Sequence, residues 1–291
     1  MSQTALNALF QNAAADGGLS PAAMQALNVN DIGAQIQAGL GVSVDDVLAS
    51  EVVIVTMMPD DSGSIRFAGN TQFVRDGHNA VIDALKDSKQ KNGILMHTRY
   101  LNGNVLFPYV NIDQAVRMDS SNYNPNLGTP LFDQTLVLLG TVLAKTQEFA
   151  DNGMHCRSVT CLVTDGDDEH STRADARMVR TVVSDMLQTE NHIIAGLGID
   201  DAPEECRSCG CKTLRETELT VNTCPKCGAG FRRTNFEKVF LEMGLLKEWI
   251  LTPKNTPSDI RKAFQMFSQS AVRASQGAAS FSQTAVGGFG N

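Results

Sequence analysis

Val52-Val53-Ile54-Val55 is an unbroken β-branched run, and the apolar stretch continues to Met58. Without polar alternation, such a run predicts a strand covered on both faces, as in the middle of a parallel sheet. A polar turn from Asp60 to Ser64 follows, and then Phe73, Val74, Val81 and Leu85 recur at near-helical spacing up to Lys91-Asn92-Gly93. Segments 94–101 and 105–110 flank Asn102-Gly103-Asn104, a turn composition that predicts an antiparallel hairpin. Residues 130–149 are helical in pattern, 159–164 form a strand ending in Asp165-Gly166, 173–187 a helix and 192–199 a strand. After a cysteine-rich interruption come a helix at 236–243, a short strand at 248–252 and a last helix at 257–274. Strands alternating with helices predict an α/β fold with a doubly wound, mostly parallel sheet. The hairpin adds one antiparallel edge strand.

The two ends differ in texture from this middle. Residues 1–48 are rich in Ala, Gln, Asn and Gly. Ser20-Pro21 suits a helix start, and Asn30 is a candidate cap for a second helix carrying Ile32, Ile36 and Leu40. A helical, partner-docking extension and a partly disordered leader both fit this composition. Residues 275–291 contain no charge and cannot build a core, which predicts a flexible tail in which Phe281 and Phe289 are candidates for a docking motif.

Composition narrows the functional classes. The chain has 291 residues, 42% of them hydrophobic, which is enough for one large core without disulfides. A formal net charge of −8 argues against broad contact with nucleic-acid backbones or anionic membranes. The N-terminus lacks a basic stretch followed by an apolar run, and no apolar run approaches the ~18–20 residues a membrane span needs. Five of the seven cysteines fall between Cys206 and Cys227, as expected for a metal site in a reducing compartment, so a cytoplasmic location is expected.

Those cysteines form two knuckles, Cys206-Arg-Ser-Cys209-Gly210 and Cys224-Pro-Lys-Cys227-Gly228, separated by 14 residues. Four thiolates at this spacing suit a closed, structural Zn²⁺ site, and segment 203–233 is expected to be a small inserted zinc ribbon. Reduced cysteines in a loop and a redox pair are the alternatives. Cys211 either replaces Cys209 or is a spare thiol; Cys156 and Cys161 fit buried apolar positions. Six Lys/Arg against four Glu in the insert, with about two negative charges on a Zn(Cys)₄ centre, leave it near neutral. Nucleic-acid binding is therefore disfavoured.

A second constellation is built from oxygen. Asp60, Ser62 and Ser64 follow the first strand, Thr129 lies in Leu127-Gly128-Thr129-Pro130, and Asp165 ends the fourth strand. Each lies at a strand end or adjoining loop, where open α/β sheets bind ligands. Two carboxylates and three hydroxyls make a hard-oxygen set of the kind Mg²⁺ prefers, with Mn²⁺ or Ca²⁺ as alternatives. Asp61, Asp167, Asp168 and His170 stand close by as rim groups or, more simply, solvated loop residues. His78, His97, His155 and His192 are scattered and fit core or surface positions.

The order strand, Asp-x-Ser-x-Ser, helix, hairpin, Gly-Thr-Pro-Leu, helix, strand, Thr-Asp-Gly resembles a von Willebrand A domain with its metal-ion-dependent adhesion site. The resemblance covers about residues 48–274 outside the insert, with the domain proper at 49–202 and 234–274. It implies that Asp60, Ser62, Ser64, Thr129 and Asp165 are the metal set, with direct ligation by the serines and often the threonine, and the aspartates acting through water. One departure is Met57-Met58-Pro59, where Pro59 is expected to end the strand early. Domain and ribbon together resemble bacterial tellurium-resistance-type proteins, although here the ribbon interrupts the domain. The implied function is a non-enzymatic adaptor that captures a partner's Asp or Glu on Mg²⁺. A Mg²⁺-dependent phosphatase or nuclease, and nucleic-acid binding by the ribbon, are the alternatives.

Overall fold

The computed structural model describes residues 1–218 and 221–276. Strands β1 (Glu51–Pro59), β2 (Ile94–Arg99), β3 (Val105–Asn111), β4 (His155–Thr164), β5 (His192–Gly198) and β6 (Ile250–Leu251) form one sheet in the order β3-β2-β1-β4-β5-β6. Neighbours are parallel except β2 and β3, the antiparallel edge pair. From β1 the chain winds outward to β2 and β3, then returns to β4 on the other side. The crevice beyond the carboxyl ends of β1 and β4 is therefore the topological switch point, where such sheets bind ligands.

The β-branched run of β1 is buried on both faces because each face carries helices. Val53, Val55 and Met57 join a cluster with α5 (Thr71–Lys86) and α9 (Pro257–Ala274). Val52, Ile54 and Met58 face α6 (Leu131–Asp151), α7 (Ala176–Gln188) and α8 (Phe236–Glu242). Pro59 does not cut β1 short: it pairs with Val163 as the strand's last residue. Asp60 N donates to Val163 O (2.9 Å), so Pro59 points its backbone the other way, towards β2. Pairing with β2 has already ended at Met57 and Thr98, so the missing N–H leaves no gap in the ladder. β6 is reduced to two residues, because Lys247–Trp249 forms a 3₁₀ turn instead.

Residues 1–48 supply three helices, α1 (Gln3–Ala15), α2 (Pro21–Ala26) and α3 (Val29–Gln37). α1 and α3 pack on α6, and α2 packs on α7. Leu6, Phe10, Leu27 and Ile36 enter the same core as β1. Ser20 caps α2 as expected, whereas α3 is capped by Asn28, whose side chain accepts from Asn30 N, and Leu40 lies beyond its end. The close fit shows at Gly140 of α6, where an added Cβ would stand 2.7 Å from Ile36 Cδ1. The N-terminal helices are thus an extra layer over α6.

The cysteine insert leaves after β5 and returns before α8, and its root is locked. Arg233 places Nε and Nη2 on the two oxygens of Asp200 (2.6 and 2.5 Å), with both side chains buried. Its Nη1 reaches Thr217 Oγ1 and the carbonyls of Glu218 and Val221 inside the insert. Asp201 accepts from Thr234 N and Oγ1. Residues 277–291, most of the segment read as a flexible tail, lie outside the described residues. Among the described residues no helix is long and apolar enough to cross a membrane.

Candidate metal centres

The parallel register of β1 and β4, with Pro59 opposite Val163, delivers Asp60 and Asp165 side by side. Asp60 Oδ1 accepts from Ser62 N (2.7 Å), which bends the chain into the serine turn. Its Oδ2 accepts from Thr164 Oγ1 (2.8 Å) and Asp165 N (3.4 Å). Ser62 and Ser64 hydroxyls lie 2.8 Å apart, and Ser64 Oγ donates to Asp165 Oδ1 (2.6 Å). Asp60, Ser62, Ser64 and Asp165 are therefore joined in one hydrogen-bonded group. Thr129 stands beside it: a Cβ on Gly166 would lie 3.9 Å from Thr129 Oγ1. Its backbone is fixed by His170, whose Nδ1 accepts from Thr129 N (2.9 Å), while Thr129 O accepts from Glu169 and His170 N–H groups.

The loop before α6 is clamped to the serine turn. Ser62 bridges Leu127, Gly63 N donates to Leu127 O (3.1 Å), and Asn126 and Leu127 N–H groups donate to Asp61 O. Tyr123 Oη donates to Asp60 O from below.

Several neighbours prove to be positioning groups rather than free loop residues. Asp61 turns away to Asn102, accepting from its N (3.0 Å) and Nδ2, and so ties the serine turn to the hairpin. Asp168 Oδ1 accepts from Phe132 N (3.1 Å) in the first turn of α6 and from Ser171 Oγ. Asp133 was not singled out in the sequence, yet it gathers the N–H groups of Thr172, Arg173 and Ala174. An acid in the first turn after Thr-Pro was the available sign, but its targets lie in a distant loop. His78, His97 and His192 are buried, and burial lowers them to about 4, 3 and 4, so they are neutral core groups.

The electrostatics of the oxygen cluster are unbalanced. Burial raises the Asp60 carboxyl, against which its hydrogen bonds from Ser62, Thr164 and Asp165 act. Asp165 is pushed up to about 8, chiefly by burial and then by the charge of Asp60. Asp61 rises to about 7, again mainly through burial. Among the described residues, no Lys or Arg forms an ion pair with Asp60 or Asp165. Buried carboxylates without a cation are costly, and two of them beside hydroxyl oxygens suit a hard divalent ion such as Mg²⁺.

The second centre is a cysteine cluster. Cys206 and Cys227 sulfurs lie 3.7 Å apart, as do those of Cys209 and Cys224, and all four fall within 4.8 Å of one another. A tetrahedron with Zn–S bonds of about 2.3 Å has sulfur–sulfur edges of about 3.8 Å, so the four can hold a metal such as zinc. The knuckles are copies of one another. Gly210 N donates to Cys206 O and Gly228 N to Cys224 O, with φ of +67° and +72° at the two glycines. Backbone N–H groups of Ser208 and Cys209 bring the Cys206 thiol down to about 6. Against a hydrogen bond from the Cys211 backbone, burial and the neighbouring sulfurs push Cys209 up to about 12, and burial raises Cys224. Without a cation the cluster therefore carries its negative charge on one sulfur at a time. Cys211 stays outside, with its Sγ 2.9 Å from Thr213 Oγ1. Cys156 and Cys161 are core residues whose thiols burial pushes up.

One ion pair ties the insert to the loop beside the oxygen cluster. Arg232 of the insert pairs with Glu169 (2.8 Å), next to the His170 that fixes Thr129.

No protein-family model matches the sequence, and no curated protein matches it. Among solved structures, the chain is similar to proximal thread matrix protein 1 (PTMP1) from the mussel byssus, crystal form 2. That match has 15% identity and a TM-score of 0.44, over 75% of this chain and 47% of the other. It is also similar to the pilus adhesin SpaC from Lactobacillus rhamnosus GG in its open conformation. Here identity is 10% and the TM-score 0.47, over 77% of this chain and 30% of the adhesin. The chain thus spans about half the length of the first and under a third of the second.

Proposed function

We propose that the chain is a von Willebrand A-type interaction domain, a non-enzymatic adaptor that captures a partner's Asp or Glu through a divalent ion at its adhesion site. One observation carries this reading. Asp60 and Asp165 are buried together at the switch point, linked through Ser62 and Ser64, with no basic side chain among the described residues paired to either. Ser62, Ser64 and Thr129 offer neutral hydroxyls; with these as direct ligands and Asp60 and Asp165 acting through water, a Mg²⁺ there would keep an open position and unneutralised charge in its own shell that favour an external carboxylate. Mn²⁺ or Ca²⁺ suits the same oxygens.

The chain's own residues do the rest. Asp61 and Tyr123 hold the serine turn in place, and His170 holds the backbone of Thr129, so the hydroxyls are presented without reorganisation. The insert acts as a zinc-stapled ribbon rooted by the Arg233–Asp200 pair. A partner system of the bacterial tellurium-resistance type fits this combination.

Affinity capture on the immobilised full chain, with Mg²⁺ and with EDTA, tests the reading. A partner should elute with EDTA and be absent from Thr129→Ala, which removes one hydroxyl and leaves the carboxylates in place. A partner that survives EDTA and binds Thr129→Ala equally would refute the adhesion-site reading.

A further inference from the structure

Large apolar side chains exposed one at a time are normal on protein surfaces. At the rim of the oxygen cluster two of them occur together. Phe67 closes the short helix α4 (Gly63–Phe67) and is 82% exposed; Leu127 is 52% exposed. Both are fastened to the serine turn. Leu127 bridges Ser62 and accepts from Gly63 N, and the Phe67 ring edge lies 3.4 Å from where a Cβ on Gly63 would stand.

Arg66 joins the pair into one surface. Its guanidinium carbon sits 5.0 Å from the centre of the Phe67 ring, and its Nη2 donates to Asn126 Oδ1 (2.9 Å), next to Leu127. Phe67, Arg66, Asn126 and Leu127 therefore form a continuous patch, apolar at both ends and positively charged between, alongside Ser62 and Ser64. Apolar surface beside a coordinating centre stays exposed at a cost that a ligand's apolar group relieves.

We propose that this patch reads the residue next to the captured acid, so that the partner segment is an acidic peptide with a bulky apolar side chain within two residues of the metal-completing carboxylate. The proposal rests on the metal-site reading above and narrows it. Attachment to one turn sets the spacing: Phe67 and Leu127 are both fastened to the turn that carries the serine hydroxyls, so the apolar residue must follow or precede the acid closely, and two extended residues span about 7 Å. Charge sets the acidity: Arg66 has no acidic ion-pair partner among the described residues, and it favours a segment that is negative beyond the coordinating group.

The experiment titrates the full chain, in saturating Mg²⁺ and followed by amide NMR shifts, with two capped pentapeptides, Gly-Gly-Asp-Leu-Gly and Gly-Gly-Asp-Gly-Gly. The leucine peptide should bind about tenfold tighter, the scale expected for partly burying one such side chain. The double variant Phe67→Ser, Leu127→Ser should erase that preference while Mg²⁺ affinity, measured by calorimetry, is unchanged. Equal binding of the two peptides overturns this inference and leaves acid capture standing. Retained preference in the double variant also overturns it. Mg²⁺-dependent binding of neither peptide, although Mg²⁺ itself binds, removes the proposed function together with this refinement. Mg²⁺-driven dimerisation that the double variant abolishes, seen by sedimentation, gives the patch to a second copy and overturns the peptide assignment.

Discussion

Asp165→Asn separates a structural role for the buried acids from a cation-binding one. The asparagine keeps an oxygen to accept from Ser64 Oγ and removes one of two adjacent negative charges. In the folded chain the Asp165 carboxyl holds its proton up to about 8, against 3.8 for the ordinary group. The folded state therefore binds more protons than the unfolded one, so without divalent ions stability falls as pH rises from about 4 and levels off above about 8. At about 1.4 kcal/mol per pH unit, the shift from 3.8 to about 8 sets a ceiling of ~6 kcal/mol. Water entry and relaxation bring the working figure to about 2 kcal/mol, or roughly 5 °C in Tm for a domain of this size. In EDTA above pH 8, Asp165→Asn should melt about 5 °C higher than the wild type. Adding Mg²⁺ should raise the wild type and leave the variant unmoved, so that the order of the two melting temperatures closes up or reverses. Scanning calorimetry of both proteins, with EDTA and with Mg²⁺, decides it. A variant that is less stable than wild type by the same amount in both buffers would falsify the claim that Asp165 is held in wait for a cation.

Two further outcomes follow from the insert. Cys206→Ser should lose zinc, as measured by indicator release from the purified chain, whereas Cys211→Ser should retain a full equivalent, because its sulfur lies outside the cluster. Arg233→Ala leaves the Asp200 carboxylate buried and unpaired and should cost about 3–5 kcal/mol in urea unfolding; a loss below about 1 kcal/mol would mean the pair is not a root for the ribbon.

Elements whose local chemistry and burial agree were legible from the chain alone. The β-branched run of β1, the Asn102-Gly103-Asn104 turn and the Ser20-Pro21 helix start all stand where the pattern places them. So do Asp60, Ser62, Ser64 and Asp165 in their meeting at the switch point, because parallel strands align their carboxyl ends whatever their order. Facts that depend on pairing between distant segments were hidden. The Ala-rich start of the chain fits an ordered layer and a loose leader equally well, and its partner is α6, a hundred residues away. The sign was on α6 itself: Leu136 to Ala144 are buried on every side, and a helix apolar all round needs cover beyond one sheet face. Asp61 and His170 were hidden for the same reason, since their roles lie in Asn102 and Thr129. Asn30 lost the cap of α3 to Asn28 by two residues, within the usual uncertainty of helix ends.

That outer layer has a consequence for how the protein is made. Leu6, Phe10, Leu27 and Ile36 are synthesised well before the surface they cover, which comes only with residues 131–151. At about 5–20 residues per second, those side chains wait roughly 5–20 s without the helix that covers them. Residues 3–37 thus cannot complete their packing until α6 has been made, and their apolar faces are open to aggregation in that interval.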